Sequence, residues 1–218
     1  MADRAEANAR LTGTTAAVLL VLFAVEGVTL VSVRSLLTLH VFVGMLLLPP
    51  ALVKTASTTW RALGYYRGVR AYRAKGPPPL ILRVLGPVVV ISTAVVLASG
   101  IALMIAPSSL RPAALTLHKA SFVVWFVAMT VHVLGHALDT ARLAPLDWMH
   151  RSRRQIAGAG RRQWLVAASL AGGALLGVVL LGRVGPYLDH APPHHALVRH
   201  RAYGPPAAAA FVGADRRR

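Results

Sequence analysis

Four histidines stand in otherwise apolar stretches of this chain: His40, His118, His132 and His136. An ionisable ring is costly in hydrocarbon, and such rings usually face a protein interior or a cofactor. His118 lies fourteen residues before His132 and eighteen before His136. Those spacings are about four and five helical turns, so the three share one helix face. The first pair is then about 21 Å apart along the axis, which places one site near each surface of a bilayer. His40 comes five residues after Ser35 and His118 six after Pro112, where their apolar runs begin. On two helices running in the same direction, both rings sit about 8–9 Å below one boundary. Two imidazoles at one depth on separate helices are what a bis-histidine haem requires, with the flat macrocycle filling the gap between helices. Ligation also satisfies ring nitrogens that hydrocarbon would leave without partners. With both axial positions taken, the chemistry is electron transfer and not oxygen activation. Gly44, one turn after His40, removes a side chain where the macrocycle would press on the helix.

The elements that must position these rings are membrane helices. The chain has 218 residues, of which 56% are hydrophobic and 14% charged. Its mean hydropathy is +0.57. A soluble domain carries about 25% charged residues, so the bilayer is the fitting solvent. Five apolar runs are long enough to cross it: Leu11–Val33, Ser35–Lys54, Leu82–Ala106, Pro112–Leu138 and Trp164–Gly182. The expected fold is all-α, an integral membrane protein with a four-helix haem-binding bundle over residues 11–140 and an accessory fifth helix over 164–182. Residues 1–10 are expected as an inner N-terminal segment, 141–163 as a basic inner loop and 183–218 as an outer tail rich in Pro and Ala. The net charge of +17 would suit nucleic acid, but the basic residues flank the apolar runs, so no nucleic-acid partner is expected. Arg61, Arg67, Arg70, Arg73 and Lys75 follow span 2, and Arg142, Arg151, Arg153, Arg154, Arg161 and Arg162 follow span 4. The positive-inside rule then sets the N-terminus inside and the C-terminus outside. The tail's Arg216, Arg217 and Arg218 run mildly against this. The segment KGPPP at Lys75–Pro79 separates spans 2 and 3. An Arg-rich, Ala-, Gly-, Pro- and Val-rich composition points to a GC-rich bacterial genome and so to the cytoplasmic membrane. With no cysteine in the chain, disulfides, thiol catalysis, iron–sulfur clusters and covalent haem attachment are excluded.

LTLHVFVGMLLL around His40 and LHKASFVVWFVAMTVHVLGH from Leu117 to His136 resemble the histidine helices of bacterial transmembrane b-type cytochromes. That superfamily includes the haem subunits of respiratory hydrogenases and formate dehydrogenases and the cytochrome b of quinol-oxidising complexes. The resemblance spans about residues 11–140. It implies haem b, commonly two per bundle, electron exchange with quinone, and a partner oxidoreductase subunit. The chain departs from the two-haem pattern at one place: Lys54 stands where a second span-2 histidine would face His132.

Several readings stay open. A second haem could use His132 or His136 with another ligand, or those histidines could bind quinone or orient a haem propionate. Zinc at His132 and His136 lacks the glutamate of a metalloprotease helix. Lys54 fits a lysine reaching for the interface. Glu26, the one acid deep in a span, could accept a proton from quinol or pair internally with Lys119, Arg34 or a neighbouring helix. Arg34, Arg111 and Lys119 could meet haem propionates or lipid phosphate. The small residues of Ala167–Gly177 allow close packing onto the bundle or against a second copy. His190, His194, His195 and His200 suit a solvated tail more than a metal site. There is no nucleotide-binding glycine loop, and whether the chain is an enzyme by itself stays open. The alternative to a cytochrome is a non-redox membrane protein whose histidines carry protons or hold structure.

Overall fold

A computed structural model of the chain describes residues 2–74, 76 and 80–183. All regular structure among them is helical: α1 (Ala2–Val31), α2 (Leu37–Tyr66), α3 (Arg70–Arg73), α4 (Leu80–Ile105), α5 (Arg111–Leu143), a 3₁₀ turn (Ala144–Asp147), α6 (His150–Arg153) and α7 (Ala159–Leu181). Five of these helices are long and apolar enough to cross a membrane. Within the protein, only 11–28% of each apolar window is buried. The remaining apolar surface, including Val31, Leu134, Leu138 and Leu80, needs hydrocarbon around it. This is a multi-pass membrane protein in contact with lipid. Lys75, Pro77–Pro79 and the tail from Val184, with its four histidines and terminal arginines, lie outside the described residues.

The four long helices before α7 close a ring. α1 packs on α2 and α5, and α4 packs on α5 and α2, so α2 and α5 stand diagonally across the bundle. Leu19, Val43, Leu47 and Ala51 form a buried cluster, with Leu22, Phe23, Phe42 and Leu97 against it. On the same bundle, Trp125 packs edge-on to Phe23 and donates its indole N–H to the Thr93 hydroxyl at 2.9 Å.

α7 lies outside the ring against α2, and a proline explains where. Pro49 and Pro50 sit inside α2, and Pro50 has no N–H to offer the carbonyl of Leu46 one turn earlier. Gly173 of α7 approaches that carbonyl so closely that an added Cβ would lie 2.7 Å from the Leu46 oxygen and 2.8 Å from its Cα. An added Cβ on Gly177 would lie 2.6 Å from the Phe42 ring. Gly173 and Gly177 therefore serve packing onto the bundle. Gly173→Ala is expected to lower stability by about 1–3 kcal/mol, because both contacting groups are backbone and cannot move aside. Gly172→Ala, which meets nothing within 4 Å, is expected to be neutral or to stabilise by up to about 1 kcal/mol. Thermal unfolding of the two variants in detergent compares them directly; equal melting would refute the packing argument.

Two expected boundaries shift. Residues 1–10 are not a segment apart: α1 begins at Ala2, and Ala5, Ala9 and Arg10 are buried. The basic stretch 141–163 is folded around Asp147, which is 1% exposed. Arg162, expected only as a charge that sets orientation, instead donates to both Asp147 oxygens, Nη2 to Oδ1 at 2.6 Å and Nε to Oδ2 at 2.5 Å. Arg10 lies 3.6 Å from Oδ1 and donates to the Ser152 carbonyl at 2.8 Å. Gly158, at φ +85°, caps the start of α7 and allows the turn that brings Arg162 there. One buried carboxylate thus ties α1, the 3₁₀ turn and α7 together.

Candidate functional site: two facing imidazoles

His40 on α2 and His118 on α5 meet across the diagonal of the ring, with ring centroids 6.3 Å apart and planes at 83°. Each ring is held by a neighbouring helix. His40 Nδ1 lies 2.8 Å from Glu26 Oε1 and 3.0 Å from Thr29 Oγ1, both on α1. His118 Nδ1 lies 3.0 Å from the Val96 carbonyl and 3.2 Å from Ser99 Oγ, both on α4. All four helices of the ring therefore contribute to one site.

The partners decide the tautomers. A carboxylate and a carbonyl only accept hydrogen bonds, so in each neutral ring the proton sits on Nδ1 and the lone pair on Nε2. Both Nε2 atoms are then available to a metal, and each Nδ1–H is engaged as in most histidine ligands. The spacing fits as well. A metal–nitrogen bond of about 2 Å, added to the distance from nitrogen to ring centre, puts two opposed ring centroids about 6 Å apart. Next to the pair the backbone is bare. An added Cβ on Gly44 would meet only Glu26 Oε1, at 3.7 Å, and one on Gly100 would meet His118 Cε1 at 3.3 Å. The donor set and the glycine positions fit a macrocycle held between two histidines.

No known protein family, curated protein or solved structure matches this chain. Its function has to be argued from this geometry.

The other two span histidines are arranged differently. His132 and His136 are neighbours on α5, with ring centroids 4.8 Å apart, so they cannot bracket one metal atom from opposite helices. His132 Nδ1 is buried without a hydrogen-bond partner among the described residues. Lys54 lies within electrostatic reach of both rings, and Arg61 within reach of His136. Asp139 Oδ2 stands 3.9 Å from His136 Nδ1. Among the described residues no three His, Cys, Asp or Glu side chains gather into a metal-binding group.

Glu26 has an internal partner on a neighbouring helix, His40 of α2. Its other side borders an apolar groove of about 240 Å³ between α1 and α5, lined by Phe23, Gly27, Trp125, Phe126 and Met129 among others. Thr29, Val96, Ser99 and Gly100 were not singled out from the sequence. Thr29 had a signal, since it follows Glu26 by one turn and shares its face. Ser99 and Gly100 had a weaker one: a pair of small residues about as far before the short α4–α5 connection as His118 is after it.

Proposed function

We propose that this chain is a membrane-embedded b-type cytochrome that holds one haem between His40 and His118 and passes electrons between the quinone pool and a partner oxidoreductase. The observation that carries this reading is the facing pair itself: two imidazoles from diagonal helices, with ring centroids 6.3 Å apart and both Nδ1 atoms engaged by acceptors on the neighbouring helices. Bound haem would supply a one-electron carrier whose iron has no open coordination position.

The chain's own residues supply the rest. His40 and His118 provide the two nitrogens, and Glu26, Thr29, Val96 and Ser99 fix ring orientation and tautomer. Gly44 and Gly100 leave room beside the rings. The groove bordered by Glu26 gives a planar quinone head group a way in from the lipid. In the proposed setting, a bacterial cytoplasmic membrane with the N-terminus inside, His40 and His118 lie near the outer surface. A second haem at His132 or His136 has no opposing histidine, so one haem per chain is the assignment.

The test is spectroscopic. The purified full chain, expressed with ample haem, is expected to give a reduced-minus-oxidised spectrum with Soret and α-band changes. A pyridine haemochrome assay is expected to return about one haem per chain, since one bis-histidine site takes one macrocycle. If neither band moves, the cytochrome reading falls, and the same hydrogen-bonded network is read as structural or proton-carrying.

A further inference from the structure

The two imidazoles are held by chemically different acceptors. Among the described residues, the Nδ1–H of His118 meets uncharged hydrogen-bond partners, the Val96 carbonyl and the Ser99 hydroxyl. The Nδ1–H of His40 meets a carboxylate oxygen at 2.8 Å. The Thr29 hydroxyl donates to the Glu26 carbonyl at 2.6 Å and lies 3.5 Å from Glu26 Oε2. Side chains of Glu26 and His40 are 16% and 19% exposed, so water competes little for the bond.

Hydrogen bonds to an ionised acceptor are roughly twice as strong as neutral ones. A strong pull on Nδ1–H makes Nε2 a better electron donor to a metal. A more electron-rich axial ligand favours the oxidised, more highly charged iron over the reduced one, so the reduction potential falls.

We propose that Glu26 is a positioning residue that acts through His40 to hold the reduction potential of this site low. The proposal rests on the haem reading above. His118, with its neutral acceptors, is the weaker donor of the two. Asymmetry between the ligands, with one carboxylate-backed and the other carbonyl-backed, is built into the bundle by the helix that lies beside each.

The test is a redox titration of the full-length, haem-loaded protein in detergent, with mediators poised by dithionite supplying the one electron each site takes up. Glu26→Gln keeps the size and an acceptor oxygen but removes the charge. It is expected to raise the midpoint potential by at least a tenfold shift in the one-electron equilibrium, about 59 mV. Glu26→Asp withdraws the carboxylate by one methylene and is expected to raise the potential by less. Ser99→Ala, on the His118 side, is expected to move it less than Glu26→Gln does. An unchanged potential in haem-loaded Glu26→Gln overturns the proposal, and so does a Ser99→Ala shift of equal size. Should Glu26→Gln fail to accumulate, Glu26→Asp decides by the same criterion. A wild-type chain without haem removes the reading beneath the proposal. A haem-loaded chain indifferent to Glu26 removes this proposal alone.

Discussion

Alanine in place of His40 or of His118 is expected to strip the chain of haem, from about one per chain to background in a pyridine haemochrome assay. The two rings lie 6.3 Å apart, so in the proposed site either loss would leave a single axial ligand and a hole where the other ring stood. Losing even a second-sphere partner costs about 10–100-fold in metal affinity; losing a ligand is expected to cost more than ~100-fold. Adding imidazole to the His40→Ala protein is expected to restore part of the spectrum, because the vacated space has the shape of that ring. His132→Ala is expected to keep its haem, since that ring lies at the other end of α5. Full haem content in either His40→Ala or His118→Ala would refute the ligand assignment. Loss of haem in His132→Ala, with the other two unaffected, would move the site to the inner end of the helix.

The second large effect concerns stability and does not depend on any cofactor. Asp147→Ala is expected to destabilise the protein by about 3–5 kcal/mol, the usual cost of removing one partner from a buried ion pair. Asp147 is buried beside two guanidinium groups, Arg162 at 2.5–2.6 Å and Arg10 at 3.6 Å, and both arginines are buried. Without the carboxylate, two positive charges face each other with only carbonyl oxygens and Glu6 to offset them. For a bundle of this size the loss corresponds to a fall in melting temperature on the order of 10 °C, expected with and without haem. Asp147→Asn keeps an acceptor and is expected to lose less. Melting of Asp147→Ala within about 2 °C of the parent protein would show that the cluster does not lock this end of the bundle.

Much of this architecture is legible without coordinates, because it rests on regularities that are local along the chain. Twenty or so apolar residues in a row mark a span whatever surrounds them. The 3.6-residue period places His118, His132 and His136 on one face, and counting from the ends of the apolar runs sets His40 level with His118. The meeting of those two rings follows from such arithmetic once α2 and α5 lie diagonally.

Other features depend on how each helix is rotated about its own axis and on which helix lies beside it, and composition carries no record of either. Glu26 could accept a proton from quinol or pair with Lys119, Arg34 or a neighbouring helix, and nothing local to it chooses among these. The packing of α1 on α2 supplied the partner on a neighbouring helix, the His40 imidazole. Arg162 looked like one more positive-inside residue, since nothing local distinguishes it from Arg161 beside it. A contact across fifteen residues with Asp147 sets it apart. The glycines of α7 left two uses open until Gly173 was seen against the carbonyl that Pro50 leaves without a donor. Hydrophobicity and helical period are summed along one segment, so sequence suffices to assign spans and their histidine faces. Hydrogen-bond partners and close backbone contacts are pairwise and join residues well apart in the chain, so the second sphere of the site, the Asp147 ion cluster and the seat of the fifth helix emerge only once the bundle is assembled.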